Sequence, residues 1–283
     1  MNTVADPIPQ VDQVDALIKS IRIPPRPSLL ADMQRELASE DPSPEAIGKI
    51  VASDVGMSGA LLKLANSSIY GGRRKAKSVE QAILFLGINQ VAALMTGLLA
   101  RQAIPANSAE LASFWDISSR RAQAMVFLSR RLRIGEADVA HTFGLFCDTG
   151  IPLMMERFAD YDATLAAAST SAGPFTQVED ARHMTSHAAI GCLLARNWGL
   201  PTEVSWSILH HHDYDVIEDR ATPESVRSMV AASLLCERAI QDFQGLESAE
   251  WIKGGALACA HFGLGEADAD ELQDELLEAF HGD

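Results

Sequence analysis

The sequence predicts an all-α protein, and three observations carry that prediction. Apolar residues recur at helical spacing nearly throughout, as at Ile47, Ile50 and Val51 or at Ile190, Leu193, Leu194 and Trp198. Long stretches of alternating polar and apolar residues, the mark of half-buried strands, are absent. Residues that start and stop helices also fall where the periodicity begins and ends.

Taken in chain order, Pro7, Pro9 and several polar residues break any early helix, so residues 1–22 read as a weakly packed extension. Ser43 before Pro44 sets an N-cap and first-turn pair, because the missing proline N–H is not needed there. Leu61, Leu62 and Leu64 belong to a buried helix that Asn66, Ser67, Ser68 and Gly71 terminate. Asn66 is read as a cap, not as a ligand. Ser78 with Gln81 makes a capping box that starts the next helix.

Val91 to Leu99 is the most apolar stretch, about half the length of a membrane span, and reads as a buried helix. Residues 105–113 read as the connection between an N-terminal lobe, 23–104, and a C-terminal one, 114–283. Gly199 after Trp198, followed by Pro201, marks a left-handed helix stop and the first turn of a new helix. His210, His211, His212 and Asp213 end that next helix, and residues 213–224 form a second polar separator. The acidic stretch 265–283 carries Leu272, Leu276 and Phe280 on one face of an amphipathic helix.

Composition narrows the function. The 283 residues carry 23 basic and 38 acidic side chains, a formal charge of -15, which repels nucleic acid on average. The 47% of hydrophobic residues supply a core that needs no staples. Cys147, Cys192, Cys236 and Cys259 lack CxxC spacing, so reduced thiols in a cytoplasm are expected, not disulfides or a zinc knuckle. The N-terminus has neither a basic region nor an apolar run of the secretory kind, and no membrane partner is expected. GxSxG, P-loop and GxGxxG signatures are absent.

Three blocks, IPPRPSLL from Ile23, IVASDVGMSGALLKLANSSIYG from Ile50 and SVEQAILFLGINQV from Ser78, resemble the HDOD family in order and spacing. The second half, about residues 114–237, is similar to the divergent HD-type helical core of that family. The resemblance implies a multi-helix fold with two closely packed lobes, the second related to the HD hydrolases.

It also locates a set of departures. Catalytic HD hydrolases have a histidine shortly after an aromatic residue; this chain has Asp116, Ile117 and Ser118 after Trp115. Their paired His-Asp, in a pattern like LLHDIGK, is here LFCDTGI, with Cys147 in the histidine position and only Asp148 kept. Ser233 aligns with their closing aspartate. The expected remnant is an HD-like pocket of Cys147, Asp148, His187 and His211 without catalytic residue, metal or cofactor, since a divalent ion needs several convergent donors.

Other readings stay beside this one. His183 and His187 would share a face on a common helix, as paired metal ligands do, but a buried or capping role, with Ser186 capping the helix, is preferred. A cluster of Asp148, His187 and His211 serving a metal-dependent phosphohydrolase or phosphodiesterase is the alternative, disfavoured because adjacent histidines diverge on a helix. Cys147 reads as a buried inert thiol, not as a nucleophile. Arg73, Arg74, Lys75 and Lys77 form a basic run that could meet an acidic partner or an anionic nucleotide. Arg130, Arg131 and Arg133 suit a helix C-terminus.

The resemblance thus implies a non-catalytic regulator in bacterial signal transduction, working by differential binding. The expected partner is a signalling protein such as a sensor kinase or cyclic-nucleotide enzyme, with a small nucleotide or a second copy of the chain as alternatives.

Overall fold

The computed structural model describes residues 20–67, 70, 75–104 and 109–281. The 1–22 extension therefore lies almost wholly outside the described residues, as do Arg73 and Arg74. Every regular element among the described residues is helical. The first lobe contains α1 (Ser28–Leu37), α2 (Pro44–Ala52), α3 (Val55–Ala65), α4 (Val79–Leu86) and α5 (Ile88–Ala103). Then follow α6 (Ala109–Leu132), α7 (Ala137–Phe146), α8 (Gly150–Arg157), α9 (Tyr161–Ser169), α10 (Phe175–His183), α11 (His187–Asn197) and α12 (Thr202–His210). A 3-10 turn, Tyr214–Ile217, precedes α13 (Glu224–Phe243), α14 (Ala249–Phe262) and α15 (Glu266–His281).

Local side chains explain many of these boundaries. The hydroxyls of Ser43, Ser78 and Ser186 accept from the backbone N–H groups of Ala46, Gln81 and Ala189, at 3.3 Å in each case. The reciprocal half of the expected capping box is displaced by one residue. Gln81 Oε1 accepts from Lys77 N at 2.8 Å, because the extended Ser78 backbone brings the preceding N–H within reach. Asn66 does more than end α3: its amide donates to Ala76 O at 2.9 Å and accepts from Ala76 N at 2.7 Å, pinning Ala76 to the end of that helix.

One sequence boundary is corrected. Residues 109–113, assigned to the connection, are already helical, because α6 starts at Ala109. His183 and His187 do not share a helix: Met184 takes a left-handed conformation, φ 58°, and stops α10 before Ser186 caps α11. Their four-residue spacing consequently has no ligand meaning.

Packing joins the lobes through one core. It runs from Leu30, Ile47 and Leu61 through Met125 and Phe146 to Trp198 and Leu276. The apolar stretch read as buried is the middle of α5, which bends 118° away from α4 at Gly87 and lies on α1 and α7. No single described helix is long and apolar enough to cross a membrane. The acidic C-terminal segment forms α15, burying Leu272, Leu276 and Phe280 against α13 and α6. Arg131 pairs with Glu275 of that helix at 3.3 Å.

The α11–α12 corner ties the lobes together. Gly199, at φ 69°, turns the chain as expected, and Pro201 sits one residue before α12 as its N-cap. The fully buried Trp198 indole donates to Pro24 O at 2.9 Å, while Gln34 Nε2 donates to the Trp198 and Gly199 carbonyls at 2.9 and 3.2 Å. The N-terminal lobe thus grips the end of α11 remote from His187.

His141 of α7 is buried, its Nδ1 has no hydrogen-bond partner, and desolvation holds its pKa down at about 4. The unfolded chain, with an ordinary histidine, takes up this proton first as pH falls below about 6.5. His141 therefore removes stability progressively down to the folded value, about 2 kcal/mol of it between pH 7 and pH 5. Urea unfolding at those two pH values should show His141→Leu losing less stability than the parent by about that amount. An equal pH dependence in the two proteins would contradict this assignment.

Candidate functional site

Segments distant in sequence build one pocket in the C-terminal lobe. The α7–α8 turn supplies Cys147 and Asp148, the start of α11 supplies His187, and the residues after α12 supply His211 and His212. Arg121 of α6 and Ser233 and Glu237 of α13 close one wall; Phe175, Tyr214 and Glu250 line others. The cavity has a volume of about 360 Å³.

α8 reaches α11 only because residue 150 is glycine. A Cβ there would stand 2.0 Å from the His187 carbonyl oxygen. This close approach brings Asp148 beside His187 and His211, with Oδ1 3.6 and 3.3 Å from their Nε2 atoms. The two Nε2 atoms are themselves 3.1 Å apart.

Each histidine is oriented through its other nitrogen. His187 Nδ1 lies 2.8 Å from Glu179 Oε2, His211 Nδ1 donates to Ile208 O at 2.6 Å, and His212 Nδ1 lies 3.0 Å from Glu250 Oε2. An acceptor at Nδ1 orients each ring and turns its Nε2 towards the cavity, the outer-shell pattern of metal-ligating histidines. Glu179 is completely buried and also receives the His187 backbone N–H at 3.1 Å and the Tyr161 hydroxyl. Glu250 is held by Tyr214 and by Lys253, the latter at 2.7 Å. Phe175 stacks on His212 with ring centroids 4.7 Å apart.

Charge balance follows. Burial disfavours ionised Asp148, yet Arg121 and the two histidines hold its carboxyl well below the usual range. Burial likewise opposes a charged His187, but Glu179 and Asp148 outweigh it and raise its pKa to about 9. A proton on His187 and a divalent ion are alternative ways of neutralising the same two carboxylates. Burial and the neighbouring His211 lower His212 to about 4 against the pull of Glu250. Cys147 is pushed well above the ordinary thiol by burial, and its S–H points to Asp148 Oδ1 at 3.6 Å. It is a protonated wall residue, not a thiolate ligand.

Asp148, His187, His211 and His212 each offer one ligand atom, and these atoms lie within 4.8 Å of one another. Three imidazoles, with the ion displacing the His187 proton, and one carboxylate suit a borderline divalent ion such as zinc, cobalt or iron(II) better than magnesium or calcium. The argument against such a cluster, that adjacent histidines diverge on a helix, fails for a local reason. α12 ends at His210, so His211 and His212 lie beyond its last regular turn and both face the cavity.

The pocket gathers Cys147, Asp148, His187 and His211. His183 is outside it, hydrogen-bonded to Thr164 at 2.8 Å, and the exposed Lys75 and Lys77 do not line it. Ser233 does stand on the wall, with its hydroxyl turned back to Val230 O at 2.7 Å. The carboxylate on that helix is Glu237, one turn later. Sequence reasoning missed Arg121, Glu179, Glu237 and Glu250. Only Glu237, four residues after Ser233 on the same helical face, had a readable signal.

The HDOD domain model matches residues 23–214, more than half of the chain. The chain belongs to the HDOD family. Similar HDOD-type folds include an HDOD domain protein from Geobacter sulfurreducens, 17% identical with a TM-score of 0.71 and 96% of both chains covered. A proposed phosphohydrolase from Shewanella amazonensis SB2B is 21% identical, with a TM-score of 0.72 and 94% of both chains covered. A proposed signal transduction protein from Marinobacter aquaeolei VT8 is 20% identical with a TM-score of 0.71; the match covers 96% of this HDOD chain and 63% of that one. An uncharacterised protein of Treponema pallidum is 22% identical over 226 residues, 79% of this chain, which spans only 43% of that relative's length.

Proposed function

We propose that this HDOD chain is a signal-transduction module whose pocket holds one divalent transition-metal ion and which acts by binding, without turnover. Asp148, His187, His211 and His212 would hold the ion. Bound there, it would supply a Lewis-acidic centre for a carboxylate, phosphate or carbonyl oxygen. Glu179, Glu250 and the Ile208 carbonyl keep the three imidazoles aimed.

The observation that carries the non-catalytic half is the commitment of the four carboxylates around the histidines. Asp148 and Glu237 are ion-paired to Arg121, Glu250 to Lys253 and His212, and Glu179 to His187. None of these four is left free to act as a general base for water. The partner in this reading is a bacterial cytoplasmic signalling protein, such as a sensor kinase or cyclic-nucleotide enzyme. The basic run that includes Lys75 and Lys77 is one contact for it.

The competing reading is a single-ion phosphohydrolase on the same residues, favoured by the open pocket beside three oriented histidines. Zinc- or cobalt-loaded protein incubated with bis(4-nitrophenyl) phosphate and with cyclic dinucleotides separates the two. Absence of turnover, with zinc raising the unfolding midpoint, is the result expected. Turnover that disappears in His211→Ala would establish the hydrolase instead.

A further inference from the structure

We propose that Arg121 is a built-in cation that occupies the second face of Asp148 and limits the pocket to a single metal ion. Asp148 uses its two oxygens in opposite ways. Oδ1 faces His187 and His211, whereas Oδ2 receives Arg121 Nη1 at 2.7 Å. The other terminal nitrogen, Nη2, meets Glu237 Oε2 at 2.7 Å, so one guanidinium bridges two carboxylates. The Arg121 side chain is only 7% exposed. Gln241 fixes the remaining Glu237 oxygen at 2.7 Å.

A buried guanidinium stays protonated at any working pH, and its planar fork suits two carboxylates at once. Unlike a hydrated ion it cannot exchange with solvent, because α6 carries it. Asp148 Oδ2 is therefore unavailable to bridge the histidine-bound ion to a neighbour. Removing the guanidinium leaves Asp148 Oδ2 and Glu237 Oε2 flanking the vacated position without a counter-charge. Two buried carboxylates in that position must take up a proton or a cation. An oxygen-only pair favours a hard ion such as manganese over zinc.

This inference rests on the metal reading of the histidines, and the experiment keeps the two apart. Wild type, Arg121→Met and Arg121→Met/Glu237→Gln are first titrated with zinc ion, then with manganese ion, and bound equivalents are counted by elemental analysis and manganese spin resonance. Wild type should hold one zinc and no tight manganese. Arg121→Met should hold one zinc and one manganese, and the added Glu237→Gln change should abolish the manganese.

A folded Arg121→Met that takes no manganese, or a wild type that takes both ions, would overturn the proposal. Zinc binding lost from all three proteins defeats the histidine reading alone, provided that manganese still binds only Arg121→Met. Should Arg121→Met fail to fold in chelator, refolding is monitored by helical circular dichroism. Recovery in manganese but not in an equal charge of sodium ion supports the proposal. Failure in manganese while the double variant folds overturns it.

Discussion

Gly150→Ala is expected to destabilise the protein by about 3 kcal/mol or more, at the upper end of overpacking changes, and to weaken zinc binding with it. The new methyl group would meet His187 backbone atoms at 2.0, 2.7 and 2.8 Å, and backbone cannot swing aside as a long side chain can. α8 would have to lift off α11. Asp148, two residues before, and His187, on the other surface, would then separate. Urea unfolding together with zinc titration checks both consequences. A variant as stable as the parent, with unchanged zinc affinity, would mean that the Asp148–His187 juxtaposition does not depend on this contact.

Trp198→Ala should have a comparable effect by a different route. Removing a fully buried indole leaves a cavity beside Phe146, whose ring lies edge-on at 5.8 Å, and leaves the Pro24 carbonyl without its donor. Large-to-small changes of this kind cost about 3–5 kcal/mol, a large share of the total for a domain. The loss falls at the grip between the lobes, so residues near Pro24 and Gln34 should lose amide-exchange protection to a greater degree than those near Glu250. Uniform loss of protection would instead indicate that the two lobes unfold as one unit.

The parts of this molecule that sequence could reveal are those governed by local chemistry. Ser43, Ser78, Ser186 and Gly199 act within a few residues of themselves, and all four stand where a helix begins or ends. The face of Leu272, Leu276 and Phe280 was likewise readable from period alone. The grouping of Cys147, Asp148, His187 and His211 came from family likeness, since no spacing connects residues 147 and 211.

Arg121, Glu179 and Glu250 were hidden because burial of a charge is a tertiary property. Each is an ordinary helical charge until the chain folds a partner against it: Asp148 and Glu237 on Arg121, His187 on Glu179, His212 and Lys253 on Glu250. The error over His211 and His212 had a finer origin. A shift of one residue in where α12 ends decides whether neighbouring imidazoles diverge or converge, and helix ends are the least legible boundaries in a sequence.

The central claim is that Asp148, His187, His211 and His212 form a site for one transition-metal ion. Zinc titration of the chelator-treated protein, followed by calorimetry with wild type and His211→Ala, tests it most directly. The account predicts one tight equivalent for wild type, at least about tenfold weaker binding in the variant, and no comparable binding of magnesium. Zinc binding absent from wild type, or of equal strength in His211→Ala, would contradict it.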